Sequence, residues 1–192
     1  MTVAVYCSAK DCIPEDYLRL GDALGEWLAL NGHSLVYGGA TGGLMSRVSD
    51  AFRRTVAADE QPPVQGWGRI IGVVPNRIIL SKRKAQNCDV LFVVGTMSER
   101  KQRMRDIADC FVCLPGSYGT LDEMMDVIAA GTVGEHRKPL FVLNYNRFYD
   151  SLIAQADYMR SLAFLPEQES YTPLFVETLN ELYEQVQNVK IK

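Results

Sequence analysis

The chain has 192 residues, 47% of them apolar and 22% charged, and its formal net charge is −3. This length suits one domain with a buried core, and we predict a single domain over residues 1–192. The weakly acidic balance argues against a protein that mainly binds nucleic acid, since such domains usually carry a basic excess. The apolar runs are too short to cross a bilayer and no signal peptide is recognisable, so we expect a cytoplasmic protein without a membrane partner.

Five cysteines, an odd number, do not suggest a disulfide framework. Cys110 and Cys113 form a Cys-x-x-Cys pair, a pattern that occurs in redox and metal sites. Both lie in an apolar run of strand character that precedes a loop, whereas redox pairs normally open a helix. The chain has only two histidines, His33 and His136. We therefore expect both cysteines to be reduced core residues, and we expect no metal site.

Short β-rich runs alternate with amphipathic segments along the chain. In residues 16–30, leucines recur at helical spacing, and Asn31 with Gly32 gives a helix stop. Residues 58–68 contain prolines, glycines and acidic side chains, which predicts an exposed loop. The pattern predicts strands at residues 3–6, 34–37, 69–74, 90–94, 111–114 and 139–143, and helices at residues 16–30, 44–57, 98–108, 120–130, 148–160 and 177–189. Strands separated by helices indicate an α/β protein with a three-layer αβα, Rossmann-like fold and a parallel sheet.

Two glycine-bearing loops each follow a predicted strand and precede a predicted helix. Residues 38–43 read Gly-Gly-Ala-Thr-Gly-Gly, and residues 115–120 read Pro-Gly-Ser-Tyr-Gly-Thr. Such a loop gathers unpaired backbone N–H groups at the positive end of a helix dipole, which favours an anion such as phosphate. The first loop matches neither the dinucleotide fingerprint nor the P-loop, so a simple chain turn is an equal alternative for it. In a parallel sheet both loops lie at the carboxyl ends of strands, where ligands bind.

Glu123 follows the second loop by about one helical turn, so a carboxylate adjoins the predicted phosphate site. Two interpretations of this residue are open. The spacing Thr120-x-x-Glu123 is that of a capping box, in which the glutamate returns to a backbone N–H group at the helix start. Spacing alone favours the cap, whereas a catalytic role requires a partner from elsewhere in the chain.

A basic segment after the fourth predicted strand offers this partner. Arg100 and Lys101 lie in the first turn of its predicted helix, where each cation opposes the helix dipole by about 0.3 kcal/mol or more. Their position is better explained if an anion lies beside them. We expect Arg103 and Arg105 to be solvated, and we expect the basic cluster at residues 81–84 to be an exposed loop.

Together these motifs resemble the Lonely Guy family of nucleotide phosphoribohydrolases, long mislabelled as possible lysine decarboxylases. The family pattern Pro-Gly-Gly-x-Gly-Thr-x-x-Glu is met by residues 115–123, and the pattern Met-x-x-Arg-Lys is met by residues 97–101. The pattern Gly-Gly-Gly-x-x-Gly-Leu-Met is approximated by residues 38–45, with the glycines shifted. The resemblance runs in order from about residue 3 to residue 155.

This resemblance implies hydrolysis of the N-glycosidic bond of a nucleoside 5′-monophosphate, AMP or an N6-modified AMP such as a cytokinin nucleotide, to free base and ribose 5-phosphate. It implies no metal or organic cofactor, and a homodimer with its site near the subunit interface. Arg100 and Glu123 are the implied catalytic pair. The implied substrate-binding residues are Gly39, Gly42, Gly43, Met97, Lys101, Gly116, Ser117, Tyr118, Gly119 and Thr120.

The chain departs from the family pattern at three positions. Ser117 replaces the second motif glycine, and Ser98 stands where many members have histidine. Lys82 falls where plant-like members carry a substrate-contacting glutamate. That change bears on the preference for cytokinin nucleotides more than on nucleotide binding itself. We also expect the loop at residues 58–68 to reshape the mouth of the site.

A non-catalytic nucleotide- or cofactor-binding protein on the same scaffold is the alternative function. Such a binder needs the phosphate loop but not both Arg100 and Glu123, so the presence of the two residues favours the enzyme. Their pairing also favours catalysis over capping for Glu123. A decarboxylase is disfavoured, since no lysine stands in a recognisable pyridoxal-phosphate context.

Overall fold

The structure, a computed structural model, describes residues 1–58, 61–76, 87–166 and 170–190. These residues form one sheet of seven parallel strands in the order β4-β3-β2-β1-β5-β6-β7. The strands are β1 (Thr2–Tyr6), β2 (Ser34–Tyr37), β3 (Ile70–Pro75), β4 (Val90–Val94), β5 (Cys110–Cys113), β6 (Leu140–Leu143) and β7 (Leu174–Val176). The helices are α1 (Glu15–Leu30), α2 (Gly43–Ala58), α3 (Met97–Ile107), α4 (Tyr118–Thr132), α5 (Asp150–Ser161) and α6 (Leu179–Gln187), with a 3-10 turn at Tyr145–Arg147.

Helices cover both faces of the sheet because alternate strand residues supply two apolar faces. In β1, Val3 and Val5 belong to one buried cluster, and Ala4 and Tyr6 belong to the other. The apolar sides of α1, α2 and α6 complete the first cluster, and those of α3 and α4 complete the second. This is the three-layer α/β fold with a parallel sheet that the sequence predicts. Within the described ranges, no helix is long and apolar enough to cross a membrane.

The order of the strands reverses between β1 and β5. The chain builds β2, β3 and β4 on one side of β1, and then returns to place β5, β6 and β7 on the other side. The register pairs Tyr6 with Cys113, and the Leu114 N–H donates to the Tyr6 carbonyl at 2.9 Å. The segments that leave β1 and β5 therefore start side by side and diverge, which opens a crevice at the carboxyl edge of the sheet.

The predicted helices and strands are confirmed, with boundaries that differ by no more than two residues. The pattern does not reveal β7, because the three residues of Leu174–Val176 are too few to show an alternation.

The loop predicted at residues 58–68 does not reach the mouth of the site. Its described part, residues 61–68, is exposed or half-buried, as expected. The side-chain amide of Gln65 donates to the carbonyl oxygen of Asn31, which lies between α1 and β2. The loop therefore lies at the amino edge of the sheet, where segments that leave helices re-enter the strands. The crevice lies at the opposite edge, so the predicted effect on the mouth is wrong.

Candidate active site

Arg100 and Glu123 form a buried ion pair at the carboxyl edge of the sheet. Arg100 comes from the start of α3, just after β4, and Glu123 comes from the second turn of α4, just after β5. Their side chains are only 6% and 4% exposed, and Nη1 of Arg100 donates to Oε1 of Glu123. Arg100 also donates from Nε to the carbonyl oxygen of Val73 in β3, at 3.0 Å. The fold thus joins two residues that lie 23 positions apart in the chain.

The guanidinium of Arg100 lies against Gly38, the residue that follows β2. A Cβ atom added at Gly38 would lie 2.0 Å from Nη2 of Arg100. Only glycine therefore allows the guanidinium to reach Glu123 past the end of β2. The first glycine loop serves the ion pair by this close approach, which its spacing in the sequence does not show.

The start of α4 adjoins the ion pair and has no side-chain cap. Ser117 occupies the cap position, and its hydroxyl accepts no hydrogen bond from the first turn. Gly116 lies so close to Thr120 that a Cβ atom there would be 2.1 Å from Oγ1 of Thr120. At Gly119, in contrast, an added Cβ atom would have no neighbour within 4 Å. An uncapped helix start with open space beside it is suited to an anion.

The capping-box interpretation of Thr120 and Glu123, which spacing alone favours, does not match the fold. The helix starts before Thr120, and the Glu123 carboxylate accepts from Arg100 instead of from a backbone N–H group. A cap of the predicted type does occur at the start of α3, where Thr96 Oγ1 accepts from the Glu99 N–H at 3.1 Å. The difference is burial: a buried guanidinium needs a counter-charge, and among the residues that the structure describes Glu123 is the one that supplies it.

Lys101 extends the contact between α3 and α4 beyond the buried pair. Its Nζ atom donates to Oδ1 of Asp122 at 2.7 Å and lies 3.5 Å from Oδ1 of Asp126. Arg105 pairs with Asp126 and Glu135, and its side chain is 16% exposed, so the prediction of a solvated Arg105 is wrong. The anions that offset Arg100, Lys101 and Arg105 are therefore carboxylates of α4 and of the segment that follows it.

The ion pair opens into a cleft of about 190 Å³ at the crevice between β1 and β5, which we call the central cleft. The residues that line it and that the sequence selected are Met97, Arg100, Ser117, Gly119, Thr120 and Glu123. The lining residues that sequence reasoning missed are Cys7, Ala9, Gly38, Ala40, Met45 and Pro75. Except for Met45 in α2, the missed residues end or follow β1, β2 and β3. Gly38, Ala40 and Met45 belong to the glycine motif at residues 38–45, whereas position at or after the end of a predicted strand was the one signal for Cys7, Ala9 and Pro75.

The other selected residues lie outside the lining of the central cleft. Gly39 packs against Val74 of β3, and Gly42 and Gly43 pack against the backbone of residues 9–10. The remaining ones are Lys101, Gly116 and Tyr118. Ser98 is exposed and does not line the cleft. Lys82 and the basic cluster at residues 81–84 lie outside the described residues.

Burial raises the pKa of Glu123 above its ordinary value of 4.5. The Arg100 guanidinium opposes this rise through its charge and its hydrogen bond, the Asp122 carboxylate adds to it, and the Lys101 ammonium opposes it. Cys7 is buried beside the pair, and burial raises the pKa of its thiol well above the ordinary value, so the thiol is neutral at pH 7. The site therefore offers a carboxylate of increased basicity with one guanidinium fixed against it.

Cys110 and Cys113 are buried in β5 with free thiols, as predicted. Burial raises the pKa of both thiols to about 12, so both are protonated at neutral pH. Sγ of Cys113 lies 3.4 Å from the Tyr149 hydroxyl within the core. These two cysteines fill space between the sheet and its helices.

Comparisons with known proteins show which family this chain resembles. Residues 53–186 match the family model described as possible lysine decarboxylase. The chain is 36% identical over 174 residues to the probable cytokinin riboside 5′-monophosphate phosphoribohydrolase LOGL9 of Oryza sativa subsp. japonica, across 91% of this chain and 71% of that protein. It is 35% identical over 180 residues to the cytokinin riboside 5′-monophosphate phosphoribohydrolase of Mycobacterium marinum, across 94% of this chain and 90% of that protein.

Among solved structures, the fold is similar to that of the molybdenum cofactor carrier protein of Chlamydomonas reinhardtii. The TM-score is 0.70 at 18% identity, across 98% of this chain and 96% of that one. The molybdenum cofactor binding protein of Rippkaea orientalis gives a TM-score of 0.69 at 19% identity, across 98% and 96% of the two chains. At this identity the likeness concerns the fold alone. The family model and the two phosphoribohydrolases carry the assignment: the chain belongs to the Lonely Guy family, whose model is described as possible lysine decarboxylase.

Proposed function

We propose that this protein hydrolyses the N-glycosidic bond of a nucleoside 5′-monophosphate, AMP or an N6-modified AMP, to free base and ribose 5-phosphate. The observation that carries the proposal is the buried Arg100–Glu123 pair, which opens into the central cleft beside the uncapped start of α4. The similarity to relatives named as cytokinin riboside 5′-monophosphate phosphoribohydrolases supports the same activity.

The reaction needs a carboxylate beside the sugar, and Glu123 fits this role. Cleavage passes through a ribosyl cation, so a carboxylate stabilises the positive charge and takes a proton from the attacking water. The water oxygen bonds to C1′ as the C1′–N bond breaks, and the base leaves with the bonding electrons and gains a proton. We assign Arg100 to holding Glu123 in place and to hydrogen bonds with the sugar hydroxyls, for which its planar fork is suited.

We assign the 5′-phosphate to the start of α4, one helical turn before Glu123. The donors in this proposal are the backbone N–H groups of Gly119 and Thr120 and the hydroxyl of Ser117, which compensates for the missing motif glycine. Lys101 adds positive potential while paired with Asp122. The other selected residues support the loops around the cleft: Gly39, Gly42, Gly43, Met97, Gly116 and Tyr118.

Incubation with AMP and with N6-isopentenyl-AMP tests this function, with free base and ribose 5-phosphate measured by chromatography. We expect stoichiometric release of base and ribose 5-phosphate without added metal or cofactor. Nucleotide binding without release of base would instead support the alternative, a non-catalytic binding protein on this scaffold. The comparison of the two substrates shows whether the N6 substituent improves turnover.

The pH profile of kcat/KM is expected to report the ionisation of Glu123. The reaction needs the carboxylate, and its pKa lies above 4.5, so activity should fall with decreasing pH before that value is reached. Asp122→Asn removes a charge that raises this pKa and should move the acidic limb to lower pH. Lys101→Met removes a charge that lowers it and should move the limb to higher pH. If the acidic limb moved to higher pH in Asp122→Asn and to lower pH in Lys101→Met, the assignment of this limb to Glu123 would be refuted.

Gly119→Ala is expected to weaken nucleotide binding without loss of stability. The added methyl group meets no protein atom within 4 Å, and Gly119 has an ordinary negative φ angle, so the fold tolerates alanine. The methyl group would occupy the space assigned to the phosphate, and we expect KM for AMP to rise about tenfold, the effect of one lost charge-assisted hydrogen bond. Inhibition by ribose 5-phosphate should weaken equally. An unchanged KM would place the phosphate elsewhere.

Gly38→Ala is expected to reduce kcat although it alters no reacting group. Its methyl group would lie 2.0 Å from Nη2 of Arg100 and must displace the guanidinium from Glu123. A displacement of this size costs about 100-fold in rate. Gly95→Ala is the matched control, because its methyl group would meet only the flexible carboxylate of Glu99, at 3.3 Å, and we expect near-normal kcat. Equal activity of the two variants would contradict the role of Gly38.

We also propose that the protein acts as a homodimer in the cytoplasm, with the site near the interface. Exposed apolar side chains beside the site support this: Met97 is 48% and Tyr118 is 89% exposed. None of its five cysteines, which all lie in the described part of the chain, forms a disulfide, and this suits a reducing compartment. Light scattering coupled to gel filtration measures the dimer, and Tyr118→Asp should shift it to monomer.

A further inference from the structure

A second cleft, of about 390 Å³, lies next to the central cleft. We call it the outer cleft; its walls include Lys10, Ile13, Pro14, Tyr17, Ser117 and Phe148. A volume of this size lies within the range of small-molecule sites, about 300–1,000 Å³. Of its wall residues, two belong to the site proposed for hydrolysis: Ser117 and Gly116.

The two clefts share one wall and meet at one residue. In the segment that follows β1, Cys7 and Ala9 line the central cleft, whereas Ser8 and Lys10 line the outer cleft. Ser117, at the start of α4, lines both. A ligand that passes Ser117 can therefore occupy both clefts at once, with its middle part at the uncapped helix start.

The outer cleft joins one cation to an aromatic wall. Lys10 is exposed, and within the described ranges its ammonium group makes no hydrogen bond or ion pair. The Tyr17 ring packs edge-on against the rings of Tyr145 and Phe148, with centroids 5.3 Å and 6.0 Å away. Phe148 is 44% exposed, so part of its ring is free for a ligand. Aromatic faces of this kind stack with nucleobases.

One hydrogen bond restrains the aromatic wall of the outer cleft. Asn146, in the turn after β6, donates from its side-chain amide to Oδ2 of Asp16 in the first turn of α1, at 3.3 Å. The turn that carries Phe148 and the helix that carries Tyr17 are thereby held against each other on one side of the outer cleft. This contact and the edge-on ring packing restrain the aromatic wall, and a restrained wall lowers the entropic cost of binding a ligand.

We propose that the outer cleft binds a nucleotide extension joined through a second phosphate to the 5′-phosphate, so that the substrate class includes diphosphate-bridged dinucleotides. This rests on the proposed function, which places the reacting ribose in the central cleft and its phosphate at Ser117. The second phosphate then lies at Lys10, and the second base lies on Tyr17 and Phe148. A monophosphate leaves both features unused, and a free inorganic anion uses only the lysine.

The chemical step is the same hydrolysis. Water adds its oxygen to C1′ of the ribose in the central cleft, the C1′–N bond breaks, and the base leaves with the bonding electrons and a proton. The diphosphate bridge stays intact. The second product is therefore a nucleoside diphosphate linked to ribose, and no oxidant, reductant or co-reactant other than water is required.

The test compares adenine release from AMP, from ADP and from P1,P2-diadenosine diphosphate, using the full-length protein. For the bridged dinucleotide we expect kcat/KM at least equal to that of AMP.

Lys10→Ala should lower kcat/KM for the bridged dinucleotide and for ADP about tenfold, since one charge-assisted contact is lost. Phe148→Ala should lower it about tenfold for the bridged dinucleotide only, through lost stacking. Both variants should keep AMP turnover within about twofold. Arg19→Ala, an exposed cation of α1 away from the cleft, is the matched control and should change none of the three.

The outcomes separate this proposal from the function on which it rests. Hydrolysis of AMP but not of the bridged dinucleotide overturns the proposal for the outer cleft, whereas the proposed hydrolysis of nucleoside monophosphates still holds. An equal rise in KM for AMP and for the bridged dinucleotide in Lys10→Ala also overturns it, because Lys10 then binds the 5′-phosphate. If AMP itself is not hydrolysed, calorimetric titration with the bridged dinucleotide tests binding in the outer cleft. Binding to Lys10→Ala that is about tenfold weaker than binding to the wild type supports the proposed role of the outer cleft. Equal binding to the two proteins overturns it.

Discussion

Glu123→Gln is expected to lower kcat for adenine release from AMP by about 10³-fold, the size of effect that a general base and a charge stabiliser together provide. Glutamine has nearly the same shape, and its amide oxygen can still accept from Arg100. It carries no negative charge at C1′ and takes no proton from water. Single-turnover kinetics at the pH plateau measure the effect on the chemical step, and KM for AMP should change little, because the phosphate site is intact.

The folded state of this variant needs its own measurement. Neutralising one partner of a buried ion pair costs about 3–5 kcal/mol of stability, so the unfolding midpoint should fall while the protein stays folded at 25 °C. Glu99→Gln is the matched control. This exposed glutamate immediately precedes Arg100 in α3, and its amide oxygen can still accept from the Gly95 N–H, now 2.8 Å from the carboxylate. Full activity in Glu123→Gln would remove Glu123 from the mechanism.

Arg100→Lys is expected to lower kcat/KM for AMP by about 100-fold although it keeps the positive charge. The guanidinium holds the Val73 carbonyl and the Glu123 carboxylate at the same time, from Nε and from Nη1. An ammonium group is a single point of attachment and cannot span both. Glu123 then loses its fixed orientation, and the sugar loses the planar donor that we assign to it.

Arg103→Lys is the matched control for this substitution. Arg103 lies three residues further along α3, with its guanidinium carbon 4.2 Å from the centroid of the Phe92 ring, away from the central cleft. We expect this variant to keep normal activity. If Arg100→Lys stayed within about threefold of the wild type, a positive charge alone would be enough and the geometric role of the guanidinium would be refuted.

Most helices and strands could be predicted, because the sequence patterns that indicate them lie within each element. A short apolar run such as residues 90–94 is a property of the strand itself, and leucine spacing within residues 16–30 is a property of the helix. The parallel sheet followed from the alternation of strands and helices. β7 was not predicted, because Leu174–Val176 gains its strand conformation from pairing with β6, and a pattern of three residues cannot show such a pairing.

The site was open to prediction only in part. The motifs at residues 97–101 and residues 115–123 selected the ion pair and the start of α4, and the fold brings both to one cleft. The contribution of Cys7, Ala9 and Pro75 was missed, because it depends on which strands are neighbours at the crevice. The prediction that Arg105 is solvated was wrong for a related reason. Its ion-pair partners, Asp126 and Glu135, lie elsewhere in the chain and approach Arg105 only in the fold.

The sequence by itself determined the order of helices and strands, the α/β class and the two motifs that identify the family, because each of these depends on residues that are close together in the chain. Only the tertiary structure decided which group the Glu123 carboxylate contacts. Its spacing from Thr120 is that of a helix cap, but the fold buries Arg100 beside it, and a buried charge requires a counter-charge more strongly than a helix start requires a cap. The role of Gly38 and the presence of the outer cleft were decided in the same way, because close approach and shared walls arise only when distant segments pack together.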